Sequence, residues 1–397
     1  MPGLHALLSA SGAKKWLACP PSARLEERIR ERFGESTSEA AEEGTQAHAV
    51  AELKLRKENE EINDFTYQAM RKKLGAVPGE MDRVTDEYVD LVLSRLYEAR
   101  RYDPGAKLLI EQRLDFSPWV PKGHGTGDAM IVSDWMLDVV DLKYGKGVPV
   151  QAEGNPQCLL YGLGGLNAFG DLYDFERVRV TIAQLRLNGG LTDETLPRRA
   201  LLAWGEAIKP RAQMAWRGEG ECCPGDHCRF CMARAICGAR MTKVLELFRY
   251  AFQTPGLIPD EEIPGILKLL DISEAWIKDI RTYARSQALR GQAWPGWKLV
   301  RGKKGNRAWS DEEKVIEQLV RAGYDRASIT TTKLKSVKDV EDMLGKQAFE
   351  ALMKPFVTQS EGALNLVPAE DKRAEFSAAD ADFSDLVSQT STKTEDM

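Results

Sequence analysis

The sequence contains no long apolar run. None of its uninterrupted hydrophobic stretches approaches the roughly 20 residues that a membrane-spanning helix needs. The N-terminal segment MPGLHALLSA also lacks the charge and cleavage pattern of a secretory signal. We therefore expect a cytoplasmic protein without a membrane partner.

An excess of positive charge is lacking as well. The chain has 55 Lys and Arg residues against 60 Asp and Glu residues, which gives a formal net charge of −5. This balance argues against a protein that coats nucleic acid through its overall charge. It leaves room for a local basic channel, because the field near a site governs steering. A length of 397 residues suits two domains and a tail.

The seven cysteines do not form the two paired C-x2-C knuckles of a zinc ribbon. Three of them form the single pattern Cys228-x2-Cys231-x5-Cys237, and Cys19 lies far away near the N-terminus. A disulfide framework is not expected in the reducing cytosol. In that compartment, clustered thiols indicate zinc or an iron–sulfur cluster. Because Cys19 and the late three cysteines lie at opposite ends of the predicted domain, a shared metal centre would join those two ends.

The fourth cysteine ligand has local rivals. Cys222 or Cys223 could complete a site with the three late cysteines, which would leave Cys19 as an ordinary buried thiol. His227 could also take part, in which case zinc becomes the expected metal.

Periodicity predicts a mixed α/β core. Helical spacing covers the first 60 residues and residues 82–101, and the pattern changes to strands at Lys107. The predicted elements that follow are the strands LLIEQRLDF, DAMIVSD and WMLDVVDLKYG, a helix after Pro156, the strand RVRVTIAQLRL and a helix over about 195–216. The short turns between the early strands make them antiparallel.

Two carboxylates and a lysine stand on the predicted strands. Asp141 and Lys143 are two residues apart, so their side chains project from the same face. Asp128 follows a glycine-rich turn on the neighbouring strand. Two such carboxylates suit a hard cation such as Mg²⁺ or Mn²⁺, which activates water, while a lysine offsets developing negative charge. Taken alone, an Asp-Leu-Lys tripeptide is more often a solvent-exposed strand end.

Further polar residues could join this site. Gln157 and Tyr161 are four residues apart and share one face of the next predicted helix. His48 lies on an earlier helix, with Glu52 one turn later, and a carboxylate there can orient an imidazole. Glu111, inside LLIEQRLDF, is a further candidate acid, and a plain strand carboxylate is an equally good interpretation.

In this order, the residues resemble the PD-(D/E)xK nuclease superfamily. The resemblance is to its RecB-type branch, which includes the CRISPR-associated iron–sulfur exonucleases and the AddB nuclease domain. That branch has a helix histidine, an Asp after a glycine turn, a (D/E)-x-K strand and a Q-x3-Y helix. The matching residues are His48, Asp128, Asp141 with Lys143, and Gln157 with Tyr161. The resemblance covers residues 1–240 and implies a restriction-endonuclease-like mixed sheet flanked by helices.

The resemblance also implies roles for these residues. His48, Asp128 and Asp141 would bind Mg²⁺ or Mn²⁺. Lys143 would be the catalytic lysine, and Gln157 and Tyr161 would contact the DNA strand.

The cysteines fit the same resemblance. These nucleases carry one cysteine before the core and three after it, which matches Cys19, Cys228, Cys231 and Cys237. The implied group is a structural [4Fe–4S] cluster, with zinc as the alternative.

Residues 241–368 are predicted to form a second, mainly helical region with a hairpin at 296–304, and residues 369–397 a disordered acidic tail. The segment of residues 294–309 combines basic and aromatic residues, namely Lys298, Arg301, Lys303, Lys304, Arg307, Trp294, Trp297 and Trp309. It is either a platform for single-stranded DNA or a solvated hairpin whose tryptophans belong to the core.

The expected function is a metal-dependent DNA nuclease, an exonuclease acting on single strands or DNA ends. The overall layout resembles an uncharacterised phage and prophage family, which implies phage DNA replication or recombination and a recombination or single-strand-binding partner. The main rival is a non-catalytic DNA-binding accessory protein that keeps the nuclease fold. A zinc-stabilised phage scaffold is the least favoured interpretation.

Overall fold

The structure is a computed structural model that describes residues 6–34, 39–247, 258–330, 334–359, 363–368 and 373–376. The chain divides into two compact units, Met1–Leu270 and Asp271–Met397. Each unit is described by itself. In the part of the chain that the structure describes, no helix is both long and apolar enough to cross a membrane.

The first unit combines helices with one sheet. Its helices are α1 (Ala13–Ala18), α2 (Ser22–Phe33), α3 (Glu39–Glu58), α4 (Asp64–Lys73), α5 (Gly79–Tyr102), α6 (Pro156–Phe169), α7 (Arg198–Arg217) and α8 (Gly238–Leu245). Its strands are β1 (Lys107–Asp115), β2 (His124–Val132), β3 (Met136–Leu142), β4 (Arg177–Ala183) and β5 (Leu191–Pro197). A 3₁₀ turn spans Asp226–Phe230, and α9 (Ile263–Leu289) begins near the end of the unit.

The five strands lie in the order β1-β2-β3-β4-β5. Strands β1, β2 and β3 pair antiparallel through short turns, as the sequence predicts. Strands β3 and β4 pair in parallel, because the chain crosses over through α6 between them. Strand β5 pairs antiparallel with β4. The mixed α/β core is therefore confirmed.

Two hydrophobic clusters cover the two faces of the sheet. On one face, Leu137 and Val139 of β3 pack with residues of α6, α7 and α1. On the other face, Val140 and Leu142 of β3 pack with residues of α3 and α5. Because side chains alternate along a strand, Asp141 shares its side of β3 with the first pair and Asp138 with the second. The two aspartates therefore lie on opposite faces of the sheet, in different environments.

Helix α6 approaches the sheet closely at glycines. A β-carbon at Gly165 would come within 2.6 Å of the Leu137 side chain, and one at Gly164 within 2.8 Å of Leu114. On β2, a β-carbon at Gly125 would meet the Tyr161 ring at 2.9 Å. The glycines thus let α6 lie against β1, β2 and β3, which places Gln157 and Tyr161 near the ends of those strands.

The second unit contains short helices and two small strand pairs. Its helices after α9 are α10 (Glu312–Arg321), α11 (Arg326–Ile329), α12 (Val337–Leu344) and α13 (Lys346–Met353). Its strands are β6 (Trp297–Arg301), β7 (Arg307–Trp309), β8 (Val357–Gln359) and β9 (Leu364–Pro368). A hydrophobic cluster that includes Val315, Leu319, Phe349 and Met353 forms its core. The mainly helical character predicted for this region agrees with these elements.

The predicted hairpin at 296–304 is wrong. Strand β6 pairs with β9, and β7 pairs with β8, both antiparallel. Each strand finds a partner some 50 to 70 residues later along the chain, and local turn chemistry carries no signal for such a pairing. The tail predicted for 369–397 lies outside the described residues, apart from 373–376.

Candidate active site

Three potential metal ligands, one each from the middle of α3, β1 and β2, converge in the first unit. His48, Glu111 and Asp128 each offer one ligand atom, and these atoms lie within 4.8 Å of one another. All three side chains are half-buried. An imidazole with two carboxylates is a nitrogen and oxygen donor set that suits a divalent cation. The group could therefore hold a divalent metal.

Glu111 reaches this group through an unusual backbone conformation. Its φ of +50° lies in the left-handed region, which a non-glycine residue rarely adopts. The ladder pairs Ile110 with Ala129 and Gln112 with Gly127, so the register places Glu111 opposite Asp128. Strain of this kind costs about 1–3 kcal/mol and tends to occur at functional sites.

Asp128 is held from two sides. Its Oδ2 accepts a hydrogen bond from the backbone N–H of Leu142 at 2.7 Å, which fixes the carboxylate against β3. Its Oδ1 lies 3.1 Å from His48 Nδ1. Burial opposes a charge on the imidazole, but the Asp128 carboxylate outweighs this effect and raises the pKa of His48. A bound cation would take the place of that proton.

Asp141 and Lys143 form an ion pair beside this group. Lys143 Nζ lies 2.6 Å from Asp141 Oδ2, and Asp141 is only 2% exposed. Burial disfavours the ammonium, but the Asp141 carboxylate outweighs burial and raises the pKa of Lys143. The lysine therefore stays cationic at neutral pH.

Helix α6 orients the buried aspartate. Gln157 Nε2 donates a hydrogen bond to Asp141 Oδ1 at 2.9 Å, and the same nitrogen lies 3.4 Å from the Tyr161 hydroxyl. Asn155 caps the helix by accepting hydrogen bonds from the Gln157 and Cys158 N–H groups. Burial raises the pKa of Tyr161, so its hydroxyl remains protonated.

Glu52 lies at the edge of the site. It accepts a hydrogen bond from Arg56 Nε at 2.9 Å, and it is absent from the group of three potential ligands. Its charge still acts on the centre, because burial first, and then repulsion from Asp128 and Glu52, raises the pKa of Glu111 to about 7.

The pKa of Glu111 predicts a pH-dependent stability in the absence of metal. The folded value of about 7 exceeds the ordinary 4.5, so this group's contribution to stability is greatest below 4.5 and is lost as pH rises to 7. With EDTA present, Glu111→Gln should be more stable than the parent at pH 8 by about 1–2 kcal/mol, after allowance for solvent screening. The two proteins should differ little at pH 5.

Thermal unfolding at both pH values measures this difference. Glu58, the exposed last residue of α3, offers a matched control. Glu58→Gln should leave the difference in stability between the two pH values unchanged. An equal gain for Glu111→Gln at pH 5 and pH 8 would contradict the prediction.

Cysteines of the N-terminal helices and of the segment after α7 approach one another in pairs. Cys19 and Cys231 are buried, and the Cys222 thiol contacts both Cys19 and Cys237. Burial, together with these two thiols, raises the pKa of Cys222 to about 11. Among the described residues, no three cysteine sulfurs lie within 4.8 Å of one another, so the structure shows no closed thiolate site.

The late cysteine loop docks on the N-terminal helices through a buried acid. Glu26 is only 5% exposed. Its carboxylate accepts hydrogen bonds from the Lys15 ammonium at 2.6 Å and from the Met232 N–H at 2.9 Å. Lys15 also donates to the carbonyl of Phe230 at 3.0 Å. These contacts bring the loop that carries Cys228 and Cys231 to the helices that flank Cys19.

In the second unit, the tryptophans of the basic segment have different surroundings. Trp309 packs against Phe349 and donates its indole N–H to the Lys335 carbonyl, so it belongs to the core. Trp294 donates to the Ala284 carbonyl at 2.8 Å. Trp297 is 52% exposed. Lys303, Lys304 and Arg301 are exposed, and Lys298 is half-buried.

Sequence reasoning missed two polar residues at the carboxyl end of β4. Gln184 is 2% exposed and Arg186 has a side chain that is 9% exposed, and both connect to the loop after β3. The sequence signal is weak, since both residues continue the regular alternation of the predicted strand RVRVTIAQLRL.

The sheet and the His–Glu–Asp group define a mixed α/β protein with a candidate divalent-metal centre. A family model described as "Protein of unknown function (DUF2800)" matches residues 5–374, and the chain belongs to that family.

Two solved structures show a distant likeness. One, from Eubacterium rectale and described as "Putative exonuclease", is 14% identical, and the match covers 64% of this chain and 92% of that chain with a TM-score of 0.32. The other, SSO0001, is 13% identical, and the match covers 54% of this chain and 94% of that chain with a TM-score of 0.20. Similarity at this level carries no argument about activity.

Proposed function

We propose that the protein is a metal-dependent deoxyribonuclease that hydrolyses phosphodiesters of single-stranded DNA or DNA ends. The observation that carries this proposal is one juxtaposition. A group of three potential metal ligands lies beside an ion pair between the buried Asp141 and the half-buried Lys143, linked to it by the hydrogen bond from the Leu142 N–H to Asp128. Metal ligands next to a fixed cation suit the hydrolysis of a negatively charged ester.

The proposed ligands are His48, Asp128 and Asp141, with Glu111 as an additional ligand. Their donor atoms favour Mg²⁺ or Mn²⁺ over softer metals. Such a cation supplies Lewis-acid activation of water and of the phosphate when it is bound. Glu111 is supported by its position opposite Asp128, whereas Glu52 is engaged with Arg56.

The side chains around the metal ligands have separate proposed roles. Lys143 offsets the negative charge that develops on the phosphate, or holds the attacking water. Gln157 orients Asp141 through its hydrogen bond, and Tyr161 offers a protonated hydroxyl to the DNA strand. A biological role in phage DNA replication or recombination, with a recombination or single-strand-binding partner, belongs to the same proposal.

The direct test is DNA degradation by the purified full chain. End-labelled single-stranded, duplex and flapped DNA should be shortened in the presence of Mn²⁺ and remain intact with EDTA. DNA binding without cleavage on all three substrates would instead support the rival function, a non-catalytic accessory protein. The absence of both binding and cleavage would overturn the proposal.

We also propose that Cys19, Cys228, Cys231 and Cys237 hold a structural [4Fe–4S] cluster. A single zinc, about 2.3 Å from each sulfur, would need all its sulfurs within about 4 Å of one another. No three of the described cysteine sulfurs lie within 4.8 Å of one another, and a four-iron cluster accommodates wider spacing between its ligands. Cys222 is the rival fourth ligand, because it contacts Cys19 and Cys237.

Cluster content can be measured without any activity assay. Anaerobically purified protein should be brown, with absorbance near ~400 nm, and Cys19→Ala should lose most of its iron. Cys158→Ala provides a matched control, since Cys158 is a buried thiol in α6 that is not among the proposed ligands. Full iron retention in Cys19→Ala together with its loss in Cys222→Ala would move the fourth ligand to Cys222. Colourless protein that contains zinc would overturn the cluster.

The remaining parts of the chain complete the proposal. Residues 1–240 would be the nuclease domain, 241–368 an accessory DNA-binding region and 369–397 an acidic tail. Within the second unit, the exposed ring of Trp297 and the exposed Lys303 and Lys304 support a small surface for single-stranded DNA. Trp309, which packs in the core, takes no part in it.

A further inference from the structure

Two cations and two acids form a network at the carboxyl ends of β3 and β4. Arg186 contacts Glu80 at 2.8 Å and Glu43 at 3.4 Å. Lys146 contacts the other oxygen of Glu80 at 2.6 Å. The network thus joins the loops after two neighbouring strands to α5 and α3, and none of the roles proposed above uses it.

The cations lie at the same edge of the sheet as the catalytic lysine. Strands β3 and β4 are parallel, so their carboxyl ends meet at one edge. The Lys143 N–H donates to the Ala183 carbonyl at 2.9 Å, which aligns the two chain segments there. Lys146 lies three residues after Lys143, and Arg186 lies three residues after Ala183. In open, mostly parallel α/β sheets, ligands bind outside the carboxyl ends of the strands, and β3 with β4 is the parallel pair of this sheet.

Arg186 is positioned by the fold. Its side chain is only 9% exposed, and its guanidinium carbon lies 4.2 Å from the centroid of the Tyr144 ring. It also donates to the Tyr144 carbonyl at 3.3 Å, while its buried Nε has no hydrogen-bond partner. The Arg186 guanidinium stacks on a ring and pairs with solvent-exposed acids, so it is well placed to bind an oxyanion.

Lys146 stands on a loop that Gln184 fixes. The buried Gln184 amide donates to the carbonyls of Gly145 and Val148 and accepts from the Val150 N–H, at 2.7, 3.0 and 2.9 Å. The loop therefore holds its shape while the Lys146 side chain, 50% exposed, can exchange its partner.

Both acids are replaceable from solvent. Glu80 and Glu43 are each 42% exposed, so an incoming phosphate could take over their contacts without unfolding the loops. The protein also needs such local cations, because its net charge of −5 repels a polyanion at long range.

We propose that Arg186 and Lys146 bind a backbone phosphate of the DNA strand next to the cleaved bond, and that Glu80 competes for these cations in the free protein. This inference rests on the proposed nuclease function. It adds an acidic competitor whose removal has the opposite effect to the removal of a cation. A merely structural network does not predict that change of sign.

The test measures binding of the full chain to a labelled oligothymidylate by fluorescence anisotropy, with EDTA to prevent cleavage, over a series of salt concentrations. Glu80→Gln should bind about 3- to 10-fold more tightly. Lys146→Gln and Arg186→Gln should bind about 3- to 10-fold more weakly, each with a salt slope reduced by about 0.7, as expected for one phosphate contact to a single strand.

Matched controls separate charge from position. Glu58→Gln on α3 and Lys107→Gln on β1 make the same changes at exposed sites that take no part in the network, and both should leave affinity unchanged. If Arg186→Gln fails to fold, the exposed Lys146 and Glu80 variants still decide the question.

The failures of the two proposals differ. Suppose that the parent binds and cleaves DNA. The phosphate site alone would then be overturned if Glu80→Gln and Lys146→Gln bound DNA as tightly as the parent, or if the affinities of both variants changed in the same direction. A parent that neither binds nor cleaves DNA would overturn both proposals.

Discussion

Lys143→Met is expected to lower the rate of Mn²⁺-dependent DNA cleavage by about 100- to 1,000-fold, the usual effect of removing one fixed charge from a transition-state site. The ammonium lies 2.6 Å from Asp141 Oδ2. It would face the phosphate on the side of β3 where the candidate metal ligands lie. Binding of Mn²⁺ should persist in this variant, because lysine is not among the proposed ligands. Asp141→Asn should lose cleavage and also weaken Mn²⁺ binding.

Initial rates on end-labelled DNA and titration of Mn²⁺ measure the two effects separately. Lys107→Met on β1 and Asp134→Asn beside β3 are matched controls, since both parent residues are exposed and lie outside the site. Both controls should retain activity. Full activity in Lys143→Met and Asp141→Asn would remove the catalytic assignment, even if the protein proved to be a nuclease through other residues.

The parts of the site that sequence reasoning brings together are those governed by local periodicity. The two-residue spacing of Asp141 and Lys143 fixes their common face, and the four-residue spacing of Gln157 and Tyr161 fixes theirs. The structure places both pairs together, with Gln157 hydrogen-bonded to Asp141. Their proximity follows from strand and helix geometry.

Glu111 shows where such reasoning ends. Its direction depends on a φ of +50°, which no preference of a glutamate would suggest. The competing interpretation, a plain strand carboxylate, assumed regular backbone. Strand β5 was missed for a related reason, because LTDETLP lacks the apolar alternation that marks a strand with one buried face. Its register comes from pairing with β4.

The cysteines illustrate a third limit. Spacing along the sequence favours Cys228, Cys231 and Cys237 with Cys19, yet the structure brings Cys222 against Cys19 and Cys237. Contacts between distant segments, such as Glu26 with the Met232 N–H, decide which thiols meet. No local pattern encodes those contacts.

The second large effect concerns stability. Asp138→Ala is expected to lower the free energy of unfolding by about 3 kcal/mol, because it leaves a buried guanidinium without its main partner. Asp138 is 2% exposed, and Arg179, its direct neighbour across β3 and β4, donates to it at 2.9 and 2.5 Å. Glu98 lies 3.3 Å from the same guanidinium and offsets part of the loss.

Urea denaturation of the parent and the variant measures the change. Replacing both partners, as Asp138→Leu with Arg179→Met, should cost less than Asp138→Ala alone, since no unpaired charge stays buried. Asp134→Ala is the exposed control. A single variant as stable as the parent would show that the ion pair contributes nothing beyond its desolvation cost.

Metal dependence of stability then separates the two buried aspartates of β3. Asp138 faces the α5 side, where a fixed arginine neutralises it, whereas Asp141 faces the α6 side next to the candidate ligands. Mn²⁺ should therefore raise the melting temperature of Asp138→Ala by as much as that of the parent, since a ligand stabilises whatever folded state retains its site. The increase should be much smaller for Asp141→Asn. Equal increases in all three proteins would exclude Asp141 from the metal site and leave His48, Glu111 and Asp128 as its ligands.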